Sequence, residues 1–397
     1  MRPLGSRAAV VVLVGILTLS GCNGLPWQHA ELSRGGYAAG DKVTVILPAN
    51  GSIADAAAAV RAGVQAAFGA DDSGTRPALT FAVGDDPVQV VRALGAALKA
   101  GATQVIGPLQ KPEVDALAKG PALKVPTLAL NQTTLGGTLA ANLYQFALDP
   151  DTEAAEVANQ AHAMGFTCAL MLYPQGPAGD RRADAFRRQW RQLGGGVAAE
   201  SLFDPAAQAF QATVAKLIER PADFVFLAAD ATQARRIYPL IRRGVGTLPA
   251  IATSDVYPGT TDYARDKDLT GLYFVDLPWL LGVGADQDPL ARSRMRQGSL
   301  ATALELRLYA MGIDAYRLAP RLTALANSLM NSTFTGETGL LSIGTQGRVQ
   351  RRLSLGRFTE RGVQAVAAAN TAITDADRVD RSRTRRRQPC AVGAHAD

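Results

Sequence analysis

The sequence predicts an α/β protein made of two doubly wound parallel-sheet lobes around a cleft. Three observations carry that expectation. Short β-branched strands run apolar without polar alternation, amphipathic helices separate them, and the whole pattern restarts after about residue 147. Strands buried on both faces and joined by helices make a parallel sheet, and such sheets hold ligands beyond the carboxyl ends of their strands.

The elements follow in order. KVTVIL at 42–47 is a strand closed by Pro48. Ser52 and Asp55 have the spacing of a capping pair, opening a helix in which Val60, Val64 and Phe68 recur every four residues. A strand at 79–83 leads to Asp86-Pro87, an N-cap with proline at the first helical position, and Gly101 ends that helix. Strand 104–106, Gly107-Pro108-Leu109, a helix over 112–119 and strand 125–130 complete the first lobe. The second repeats the grammar: a helix from Thr152 to Gly165, strand 168–173, a helix over 180–193 burying Ala183, Phe186, Trp190 and Leu193, then strands at 197–203, 223–227 and 250–253. After strand 272–275 come two helical stretches, 300–311 and 314–330, and a hairpin-like segment over 339–349. The expected lobes are 41–146 with 279–335, and 147–278 with 336–362.

Residues 1–21 read as an export signal: Arg2 and Arg7, then an apolar run over 8–19 too short to cross a bilayer, which takes about 20 helical residues. It ends in Leu19-Ser20-Gly21-Cys22, which resembles the bacterial lipobox. That resemblance implies an acylated Cys22 anchored in lipid, and Asn23 after it implies the outer membrane. Residues 22–40 are a Gly- and polar-rich tether. From about 371 the chain is polar and arginine-rich and reads as a disordered basic tail, 371–397.

Charge excludes nucleic acid as a partner. Of the net +6, Arg2 and Arg7 carry two, and residues 378–387 carry five more through six arginines against Asp380, leaving the body at −1. Hydrophobic content of 47% with 19% charge fits a folded chain. With Cys22 acylated, Cys168 in an apolar run reads as a buried free thiol, because a bond to Cys390 would tie a core strand to a chain end.

Catalysis needs titratable groups gathered at one place. Of three histidines, His29 is in the tether, His395 in the tail and His162 on an amphipathic helix. The sequence has no H-E-x-x-H, C-x-x-C, G-x-S-x-G or P-loop, and no histidine to activate Ser254. Asp71-Asp72 and Asp85-Asp86 fit turns and caps. No enzyme, metal or cofactor is expected. The candidate ligand residues instead stand at strand ends: Asn50, Ser52, Gly107, Pro108, Asn131, Gln132, Tyr173, Ser254, Tyr257 and Asp276, placed to hold a small polar molecule.

At this point a family resemblance enters. Two such lobes resemble the type I periplasmic binding protein fold, as in branched-chain amino-acid receptors. The chain is more similar to the lipoprotein activators of class A penicillin-binding proteins, in their carboxy-terminal, binding-protein-like domain. The similarity runs over about 41–362 through GA at 101–102, VIGPL at 105–109, VPTLALN at 125–131, FVFLA at 224–228, ATS at 252–254 with Tyr257, LTGLYF at 269–274, and TGLL at 338–341 with GRV at 347–349. Its more specific marks are DLPWLL at 276–281 and GIDAYRL at 312–318. The resemblance implies an outer-membrane lipoprotein that binds a periplasmic peptidoglycan synthase, a class A penicillin-binding protein, and stimulates it without chemistry of its own. The alternative is a solute-binding lipoprotein of an ABC importer for amino acids or similar ligands. Long activators carry a helical-repeat domain ahead of this fold, where this sequence has about 18 residues.

Overall fold

A computed structural model of the chain describes residues 36–245, 248–284, 286–295, 300–328, 332–366 and Cys390. The export signal, Cys22, the tether up to residue 35 and all of the basic tail except Cys390 lie outside the described residues.

The first lobe is built from β1 (Lys42–Leu47), α1 (Ala54–Ala70), β2 (Ala78–Val83), α2 (Pro87–Lys99), β3 (Gln104–Ile106), α3 (Lys111–Lys119), β4 (Thr127–Ala129) and β5 (Leu143–Gln145). Its sheet is wholly parallel, in the order β2-β1-β3-β4-β5. The second lobe takes α4 (Pro150–Ala163), β6 (Cys168–Pro174), α5 (Pro177–Gln192), β7 (Gly196–Phe203), α6 (Gln211–Ile218), β8 (Phe224–Leu227), α7 (Ala231–Val245), β9 (Ala250–Ala252), α8 (Tyr263–Asp266) and β10 (Tyr273–Asp276). Its parallel strands are ordered β7-β6-β8-β9-β10, so both lobes use one winding and reverse it beside their first strand. That reversal opens a crevice at the carboxyl ends of the strands.

The chain then returns through α9 (Ala303–Leu318) and α10 (Leu322–Ala326), and through a small antiparallel sheet of β11 (Phe334–Gly336), β12 (Gly339–Ile343) and β13 (Val349–Arg352). This sheet adjoins β5 through a Gln145–Arg348 bridge and buries Leu341 and Val349 in the first lobe's core. Finally β14 (Ser354–Thr359) and β15 (Gly362–Val366) add antiparallel to β10 and extend the second sheet to seven strands. The chain thus crosses between the lobes three times: after β5, after β10 and between β13 and β14.

Each lobe has its own apolar core. In the second, the Phe186 ring stacks on Phe226 with centroids 4.3 Å apart, and Trp190 meets Phe224 edge-on at 5.4 Å. The Trp190 indole N–H donates to the Gly196 carbonyl, so this large side chain is buried with its polar atom satisfied.

Four expectations are corrected. Ser52 and Asp55 make no capping pair: α1 starts one residue later with Ile53 at its N-cap and no side-chain cap bond, whereas Asp86 caps α2 as expected, accepting from Gln89 N at 2.8 Å. The helix over 303–318 does not break near Gly312. That glycine lies against α1, where a Cβ would stand 2.2 Å from the Val60 carbonyl oxygen, and the break comes at Ala319-Pro320 instead. Residues 36–40 are not all tether, since Tyr37 is buried with its ring 4.9 Å from Tyr316 and its hydroxyl donating to the Tyr316 carbonyl. Finally, Cys168 is no free thiol but is bonded to Cys390. Cys168 is the first residue of β6 and stands at the sheet's margin beside Gly196, whose missing side chain leaves room for Cys390.

Glu337, in the turn between β11 and β12, pairs with Arg317 of α9 at 2.6 Å. Burial, then the neighbouring Asp314, raises its carboxyl to about 7 against the pull of Arg317. The folded chain keeps this proton after the unfolded chain has released it. Its contribution to stability therefore falls as pH climbs from the ordinary carboxyl range to about 7 and levels off above that. Glu337→Gln should flatten this slope in urea unfolding midpoints taken from about pH 5 to 7, and equal slopes in the two proteins would refute the assignment.

Candidate interlobe site

A cavity of about 500 Å³ opens where the lobes meet. Helices α4, α7 and α9 all start at it. Pro150 and Glu153 come from the first turn of α4, Ala231 and Thr232 from α7, and Ala303, Leu304 and Arg307 from α9. Ser254, Asp255 and Tyr257, following β9, line one wall.

Behind that wall lies a buried polar junction. Arg307 donates through Nε to Asp276 Oδ1 at 3.0 Å and through Nη2 to Asp276 Oδ2 at 2.6 Å. The same Nη2 reaches the carbonyl oxygens of Ser254 and Tyr257, both at 3.0 Å. Burial opposes the charge on Arg307, but the fork of bonds to Asp276 outweighs it and holds the guanidinium more firmly protonated than usual. The Ser254 hydroxyl donates to Glu153 Oε2 at 2.7 Å, and Ser254 N approaches the same oxygen at 3.3 Å. Burial raises the Glu153 carboxyl, with Arg307 working in the other direction. The Ser254 hydroxyl is therefore committed to a carboxylate that caps its own short turn.

The sequence candidates divide sharply. Ser254 and Tyr257 line the cavity, and Asp276 stands one contact behind it as the anchor of Arg307. Tyr173 is elsewhere: its hydroxyl donates to Glu200 at 3.1 Å and accepts from Arg187 at 2.9 Å, and burial pushes it up to about 12. The first-lobe candidates tie loops together. Asn50 donates from its amide to Asp85, which also takes the backbone N–H of Ala49 and Asn50. Asn131 joins Leu109 O to Gln132 N. Gly107 has φ 103°, and a Cβ there would stand 2.0 Å from the Ile46 carbonyl oxygen, so only glycine lets β3 end this close to β1. Pro108 follows it, its carbonyl accepting from Leu130 N at 2.7 Å, and Ser52 is exposed. None of these first-lobe residues lines the cavity.

Sequence reasoning missed Glu153, Asp230 and Arg307. Each is one polar residue at or near a helix start, a place where a cap or a solvated side chain explains it equally well. Among the described residues no group of three or more His, Cys, Asp or Glu could hold a metal, and no helix is long and apolar enough to cross a membrane.

The residues that mark the family resemblance include one member of this junction and several buried ties beyond it. Asp276 of DLPWLL holds Arg307, and Trp279 donates to Leu290 O at 2.7 Å. In GIDAYRL, Asp314 accepts from Glu337 N, Thr338 N and the Thr338 hydroxyl, while Tyr316 donates to Asp71 at 2.6 Å.

Two lobes of one winding, crossed three times by the chain around a cleft, define a protein of the type I periplasmic-binding-protein class. The likeness to solved structures agrees. The C-domain of Haemophilus influenzae LpoA, described as a regulator of PBP1A, superposes with a TM-score of 0.69 at 24% identity, over 82% of this chain and all of that one. A "putative branched-chain amino acid ABC transporter" from Chromobacterium violaceum gives 0.66 at 31% identity, over 80% of this chain and 99% of that one. The chain belongs to the LppC family: the family described as "LppC putative lipoprotein" matches residues 37–360. Among curated relatives, "Penicillin-binding protein activator LpoA" of Photobacterium profundum is 28% identical over 82% of this chain and 57% of its own length. Its namesake in Vibrio antiquarius is 30% identical over 65% of this chain and 47% of its own. The chain thus spans about half the length of the curated relatives it matches.

Proposed function

We propose that this chain is a lipid-anchored adaptor of the cell envelope that binds a class A penicillin-binding protein and raises its rate of peptidoglycan synthesis without doing chemistry itself. The observation that carries this reading is the family match over 37–360, together with relatives named as penicillin-binding protein activators. Cys22 is the lipid attachment point, and the outer membrane's periplasmic face is the expected site. The cavity fits this reading: its one serine is spent as a donor to Glu153, so the site offers surface rather than a nucleophile.

Purified chain added to a reconstituted class A synthase should raise its rate of glycan polymerisation or cross-linking. An unchanged rate at saturating protein overturns the proposal. The receptor alternative, favoured by the Chromobacterium likeness, predicts instead that an amino acid at 100 times its dissociation constant stabilises the fold by about 2.7 kcal/mol. That stabilisation, together with an unaffected synthase, would establish the alternative.

A further inference from the structure

We infer that α9 is a strut that holds the two lobes at one fixed angle, so that the cleft does not open and close as a receptor's would. A single helix is fastened to both lobes within three turns. Near its start, Arg307 is buried in the second lobe, forked onto Asp276 at the end of β10 and bonded to the carbonyls of Ser254 and Tyr257. A few residues later, the same helix lies backbone to backbone on α1 of the first lobe. A Cβ at Gly63 would stand 2.0 Å from the Tyr309 carbonyl oxygen, and one at Gly312 would stand 2.2 Å from that of Val60. Further on, Asp314 takes three bonds from the β11–β12 turn, and Tyr316 donates to Asp71 at the end of α1.

An α-helix does not bend freely between such points. Rotating one lobe against the other would pull Arg307 off a buried carboxylate or slide two backbones that have no side chains between them. Either motion exposes or strands a buried charge, or breaks close packing. The third crossing is guarded as well. Arg351, in β13 three residues before β14 begins, is 3% exposed; burial lowers its hold on the proton against the pull of Glu153, Asp149, Asp276 and Asp314, and its side-chain nitrogens have no hydrogen-bond partner among the described residues. These groups stand on or beside the connections between the lobes, so parting the lobes would draw the carboxyl groups away from a cation that burial already disfavours.

The test is a distance between the lobes. A ketone-bearing amino acid in place of Val88 on α2 and of Leu202 on β7, both exposed, accepts paramagnetic labels in the full chain without touching its cysteines. The expected result is one narrow distance distribution, unmoved by a millimolar mixture of the twenty amino acids. The double variant R307M/D276L removes both charges of the clamp and leaves Glu153 its bonds from Ser254, and G312A wedges α9 from α1; each should broaden or shift the distribution. Two populations in the unaltered chain, or a distance that shortens with amino acids, would overturn the inference. So would wild-type width in both variants. Should either variant fail to fold, the measurement on the unaltered chain decides alone.

Discussion

Arg307→Met is expected to lower the free energy of unfolding by about 3–5 kcal/mol. The side chain leaves behind Asp276, 1% exposed, with its two guanidinium bonds gone, and the carbonyls of Ser254 and Tyr257 lose their donor. A stranded buried carboxylate is the large contribution; the net value of an intact buried pair is small, because desolvating both charges offsets most of their attraction. The same reasoning predicts that Asp276→Leu on top of Arg307→Met restores much of the loss. Urea unfolding of the two single variants and the double variant gives the coupling. A single variant within about 1 kcal/mol of the unaltered chain would refute the assignment, since the site would then be wet enough to solvate Asp276.

How far the sequence discloses this molecule depends on the range of each interaction. The strands expected at 42–47, 168–173 and 223–227 are largely apolar runs set by burial on both faces, and they stand in the structure as β1, β6 and β8. Asp86-Pro87 is a local cap and is legible for that reason. Gly312 is not, because its role is to admit α1, a segment some 250 residues away, and a glycine in a helical run reads equally well as a stop. β14 and β15 escape notice because Gly356 and the charges at Arg357, Glu360 and Arg361 interrupt their pattern, and the lateral partner that makes them strands is β10. The candidate site divides in the same way. Ser254 and Tyr257 follow a strand end and are found by topology, whereas Glu153 and Arg307 converge from helices about 150 residues apart. Asn50 and Asn131 mislead because the loop geometry that would serve a ligand also serves the neighbouring loop.

Reducing the Cys168–Cys390 bond, or substituting Cys390→Ser, should lower stability by about 2–4 kcal/mol. The bond closes a loop between residues 222 apart, and constraint of the unfolded chain grows, slowly, with loop length. Cys168 N donates to Asp223, which also takes Thr167 N and the Thr167 hydroxyl and so fixes the start of β6. Pinning Cys390 there adds a covalent tie to a strand end already held by hydrogen bonds. Urea midpoints with and without reductant, read beside a Cys168→Ser/Cys390→Ser double variant, separate the bond from the side chains. The double variant should match the reduced protein, because the two lack the same covalent link. A pair of titratable thiols in protein taken from an oxidising envelope would refute the pairing, for a bond at the sheet margin must form wherever disulfides are stable.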